Sequence, residues 1–157
     1  MRLLKNRYLL SVILLLGLLC GVTNTAAAQD TAEIGFFEAI EVQPDQAFEV
    51  PVIVRNVEDL YAVDVEIRFD PTVLQVEDAS PNQEGTQVGL GTFLEAGLIL
   101  YNQVDNNQGL IRFAMTQVNP SEPKSGEGVL LVLYYVAQAE GDSTLEVSFA
   151  EASTRLG

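Results

Sequence analysis

The chain has 157 residues, with 22 acidic side chains against 8 basic ones, a formal net charge of −14 and no histidine. A surface of that sign repels nucleic acid and anionic lipid, so neither is an expected partner. One cysteine and no histidine exclude an intrachain disulfide and proton shuttling by imidazole.

Residues 1–28 read as an export signal. Arg2, Lys5 and Arg7 give a basic start, Tyr8 to Leu19 an apolar run, and Ala26-Ala27-Ala28 a small-residue cleavage site before Gln29. The run falls short of the roughly 18 residues of a membrane span. Leu19 stands before Cys20 where lipoprotein processing favours a small side chain, so a cleaved leader is expected over either kind of anchor. Cleavage removes the cysteine and three of the basic residues but no acid. Residues 29–157 then carry five bases against 22 acids, net −17, outside the cell or at its surface. That length suits one domain with its own apolar core, held without disulfides.

Along this segment the dominant signal is a period of two. Phe48, Val50, Val52 and Val54 alternate with Glu49, Pro51, Ile53 and Arg55. The next run, Tyr61, Val63, Val65, Ile67 and Phe69, alternates with Ala62, Asp64, Glu66 and Arg68. Each reads as a strand with one buried face. Asp70-Pro71 ends the second run, because proline offers no N–H to a ladder and Asp bonds the amides that follow it. A corner explains Asp70 better than catalysis does. Leu74-Gln75-Val76 begins another strand.

Asp105-Asn106-Asn107-Gln108-Gly109 lacks the ligand spacing of a calcium loop and reads as a hairpin turn. After it, Ile111, Phe113 and Met115 alternate with Arg112 and Ala114. Val129 to Val136 is apolar on both phases, as in a strand covered on both faces or lying at the sandwich centre. Leu145, Val147 and Phe149 alternate with Glu146 and Ser148, which places Phe149 in the core. Turn signals separate the runs, including one at Asn56, and helical periodicity is absent beyond the leader. The expected fold is all-β, an antiparallel sandwich in a single domain.

The ordered set "FEVPVIVRNVED", "LYAVDVEIRFDPTVLQV" and "GEGVLLVLYYVA" resembles a cohesin domain, the receptor module of cellulosomes and related surface assemblies. The likeness runs from about Phe48 to Phe149. It implies a jelly-roll sandwich that docks a dockerin-like module, with calcium on that partner and no cofactor on this chain. It also implies that Asp64 contacts the partner and that Ala62 stands where some members have Asn, so that one contact is missing. Asp64, Glu66 and Arg68, two residues apart on one strand, form the polar strip offered to the partner. Cohesins close with a further strand after the equivalent of Thr144 to Phe149, so the chain is expected to lack its last strand.

Two rival functions carry less. An enzyme would have to work with carboxylates in exposed settings that do not raise a pKa. A carbohydrate-binding module of similar fold would bind polysaccharide through exposed rings, but the chain has no Trp. Tyr101 and one of Tyr134 and Tyr135 are the candidate stacking residues, the other aromatics lying in the core phase.

Overall fold

The computed structural model describes residues 31–37 and 39–155. The expected export signal, residues 1–28, lies outside them. Every regular element among the described residues is a strand: β1 (Glu33–Gly35), β2 (Ala47–Leu60), β3 (Ala62–Arg68), β4 (Leu74–Val76), β5 (Gly89–Leu90), β6 (Leu98–Asp105), β7 (Leu110–Thr116), β8 (Lys124–Ala137) and β9 (Glu146–Ser153). They pair antiparallel in two sheets. One has the order β1-β2-β8-β4, with β5 also on β8, and the other β6-β7-β3-β9. This is the expected sandwich of jelly-roll type.

The core lies between the sheets and is built on the predicted inward phases of β2, β3 and β7, joined by one phase of β8 that the sequence left open. Val52, Val54, Leu131, Leu133 and Tyr135 meet Val63, Val65, Ile67, Ile111, Phe113 and Met115. Apolar burial of this kind is the main favourable term in folding. The doubly apolar run of β8 has the predicted central place, with β2 on one flank and β4 and β5 on the other. Its outer phase is partly covered: Gly89 lies so close to Tyr134 that a Cβ would come within 2.9 Å of the ring.

Of the chain's departures from simple alternation, two bear on the core and the outer face. Asn56 is not a turn, because β2 runs through it to Leu60 with register shifts against β8 on both sides of Val57. Asn56 and Asp59 have φ of 52° and 51°, a left-handed conformation that short polar side chains tolerate. The added residues turn both Val57 and Leu60 inward, and both are buried. The other is in β9 and belongs to the outer face described below.

Asp70 makes the predicted corner. Its Oδ1 accepts from the Thr72 amide at 2.8 Å and the Thr72 hydroxyl at 2.6 Å. These bonds favour the ionised form and hold the carboxyl below its ordinary range. The 105–109 segment is the expected hairpin turn, with Asp105 Oδ1 accepting from the amides of Asn107 at 2.9 Å and Gln108 at 3.0 Å. Gly109, at φ 62°, gives its carbonyl to the Phe69 amide at 3.0 Å, joining this turn to the corner.

Two asparagines of the β6–β7 hairpin fasten it to the crossing segment 76–88. Asn102 pairs through its amide with both backbone groups of Val88, each at 2.9 Å. Asn106 does the same to Val76 at 2.8 and 3.0 Å. With Val104 N donating to Thr86 O at 3.0 Å, they cover part of the outer edge of β6.

Tyr135 is fully buried between Phe48, stacked at 5.7 Å, and Phe69, edge-on at 5.5 Å. Its hydroxyl has no hydrogen-bond partner, and burial pushes the phenol above its usual range. Removing a polar atom that is buried without a partner relieves a desolvation cost, so Tyr135→Phe is expected to raise the unfolding free energy by about 1 kcal/mol. Urea denaturation checks this, and a loss of stability would show that the hydroxyl is bonded in solution.

Candidate partner-binding face

The outer surface of the β6-β7-β3-β9 sheet collects the polar phases of four strands in register. Strand pairing lines up four rows across it, read from β6 to β9: Leu98, Thr116, Ala62 and Ser153; Tyr101, Ala114, Asp64 and Glu151; Gln103, Arg112, Glu66 and Phe149; Asp105, Leu110, Arg68 and Glu146. Five carboxylates face two guanidinium groups in this grid, so the face shares the acidity of the whole chain.

The sequence-predicted strip is therefore at the centre of a sheet, because β3 lies between β7 and β9. Ala62, Asp64 and Glu66 are half-buried by their neighbours, and Arg68 at the strand end is exposed. Ala62 adds no polar group. Arg68 makes no ion pair with a described residue.

Glu66 and Asp64 differ in how they are satisfied. Glu66 Oε1 lies 2.9 Å from Arg112 Nε, an ion pair without an aligned hydrogen bond. Its guanidinium carbon sits 4.8 Å from the ring centre of Tyr101. Half-exposed ion pairs contribute little net stability, about 0–1 kcal/mol, so the effect of this one is to hold Arg112 over the Tyr101 ring. Asp64 has no such partner. Its Oδ1 is inaccessible to solvent and accepts no hydrogen bond, with the methyl of Ala114 across β7 and the carboxylate of Glu151 across β9. Leaving a buried acceptor unpaired, and placing like charges directly opposite each other, both cost free energy.

Several of these residues were not evident as site residues in the sequence. Arg112 reads there only as the polar phase of its own strand, and Glu151 lies past the last recognised run. Phe149 was expected in the core. It is instead 43% exposed, because a register shift between Glu66 and Ile67 leaves Ser148 as an extra residue and reverses the phase of β9. Of the candidate stacking tyrosines, Tyr135 is core and Tyr134 is half-buried, whereas Tyr101 is 41% exposed with one face covered by Arg112.

Residues 36–155 match the model of the cohesin domain family, and the chain belongs to that family. Among solved structures, it is similar to a type II cohesin domain from the cellulosome of Acetivibrio cellulolyticus. That match has 17% identity over 76% of each chain and a TM-score of 0.63. It is also similar to a non-cellulosomal cohesin from the hyperthermophilic archaeon Archaeoglobus fulgidus, with 21% identity over 80% of this chain and 79% of that one, TM-score 0.60. A third similar structure is the third cohesin ScaC of Acetivibrio cellulolyticus, solved in complex with the ScaB dockerin. Identity there is 17% over 71% of this chain and 78% of that chain, TM-score 0.53. At these identities the likeness establishes the fold. No curated protein matches the sequence.

Proposed function

We propose that this chain is a non-catalytic receptor module, exported to the cell surface or beyond, that docks a dockerin-like protein module on the outer face of β6-β7-β3-β9. Membership of the cohesin domain family supports the class of partner, and a similar cohesin has been solved with a dockerin bound. The observation that carries the choice of face is the cross-strand pair Asp64 and Glu151, two carboxylates directly opposite each other with no ion pair to a described residue. A basic partner group set against them relieves a like-charge cost the free protein bears. Ala62, Glu66 and Arg68 extend the contact along the same strand. Calcium belongs to the partner in this reading, and the complex serves polysaccharide degradation or assembly at the cell surface.

The alternative, direct binding of polysaccharide, has less support. Arg112 occupies one face of the Tyr101 ring, and Tyr135 is buried. Retention of the protein on insoluble cellulose or chitin would favour it.

Titration calorimetry of the chain against dockerin modules from the same genome tests the main reading. At least one is expected to bind in calcium and to lose binding in excess EDTA. Binding by none of them would overturn the proposal.

A further inference from the structure

The outer face has two separate chemistries, and their arrangement specifies the partner more closely. In β9 the surplus residue Ser148 places Val147 inward, opposite Ile67, and Phe149 outward, opposite Glu66. The Ser148 hydroxyl reaches the Glu66 carbonyl at 3.4 Å. Burying a Phe side chain is worth about 2 kcal/mol, yet this ring is held toward solvent. On the opposite flank of the sheet, Leu98 and Tyr101 of β6 are 58% and 41% exposed. Three strand spacings separate the flanks, about 14 Å.

Asp64, on β3, lies between these apolar flanks, and Glu151 stands directly opposite it on β9, two residues along that edge strand from Phe149. Neither has an ion pair with a described residue, and the nearest row's guanidinium, Arg112, is already engaged by Glu66 and Tyr101. The face thus has a negative charge without a counter-ion, with exposed apolar side chains, Leu98 and Phe149, on the two edge strands beside it. Charge complementarity and apolar burial call for one kind of occupant.

We infer that Phe149 and Leu98 are specificity-determining residues of the docking face. The inferred partner presents a lysine or arginine to Asp64 and Glu151, together with apolar side chains that meet Phe149 on β9 and Leu98 on β6. This rests on the docking reading above. The charged centre sets register and association rate, and the apolar flanks supply most of the contact area.

The test uses whichever dockerin of the calcium-loaded panel binds the unaltered chain. Phe149→Ala is expected to weaken that binding about 30-fold, the effect of removing an apolar anchor, while Phe149→Leu keeps most of the affinity. Leu98→Ser, on the opposite flank, is expected to weaken it about 10-fold and guards against a folding defect confined to β9. Glu151→Gln is expected to flatten the dependence of affinity on NaCl concentration between 50 and 500 mM, on the order of a fewfold change. If a dockerin binds but Phe149→Ala and Leu98→Ser both leave its affinity within about twofold, the inference fails and docking stands. If no dockerin binds the unaltered chain, both fail together.

Discussion

Asp64→Lys is expected to abolish dockerin binding while leaving the thermal unfolding midpoint almost unchanged. The carboxylate sits mid-face on the central strand β3, with one oxygen buried and unpaired. Removing one member of a desolvated, hydrogen-bonded charge pair at an interface costs about 2–5 kcal/mol. Reversing its sign adds repulsion toward a basic partner group, so a loss of at least about 100-fold in affinity follows. Folding does not suffer in the same way. The new ammonium would stand opposite Glu151, exchanging like charges for an attractive pair. Calorimetry and a thermal scan on the same sample check the two halves of the claim. Full affinity in this variant would remove the β6-β7-β3-β9 face as the docking surface. Glu49→Gln provides a control, expected to change affinity less than about twofold because Glu49 is exposed on β2, in the other sheet.

A second large effect is expected in stability. Phe113 is fully buried on β7, between Val65 of β3 and Asn102 of β6 in the ladder. Truncation to Ala removes most of a ring from a close-packed two-layer core, which costs about 3–5 kcal/mol. A single domain has about 5–15 kcal/mol to lose, so Phe113→Ala should lower the unfolding midpoint by roughly 15 °C. Urea unfolding gives the free energy directly. A loss below about 1.5 kcal/mol would be incompatible with Phe113 at the centre of the sandwich.

The inward half of this protein was legible in its sequence because alternation is local. Val63, Val65 and Ile67 had to share a face whatever lay beside them, and so did Ile111, Phe113 and Met115. The same held for the corner at Asp70, where the Asp side chain bonds the residues that follow it. The outward half depends on which strands are neighbours, which alternation does not encode. Arg112 acquires its meaning only once β7 lies beside β3 and meets Glu66. Phe149 was assigned to the wrong side because a bulge adds one residue to the count, and nothing near Ser148 announces it. Asn56 misled in the opposite way: a residue suited to a turn was used to let β2 continue, through a left-handed φ.

The row-by-row register of the outer face has a practical consequence for re-engineering this module. Randomising positions 64, 98, 149 and 151 together would vary outward side chains on β3 and on both edge strands while leaving the interdigitated interior untouched. A display library built on those four codons could be selected for new binders with little penalty in expression, giving mutually orthogonal plug-and-socket pairs from one scaffold.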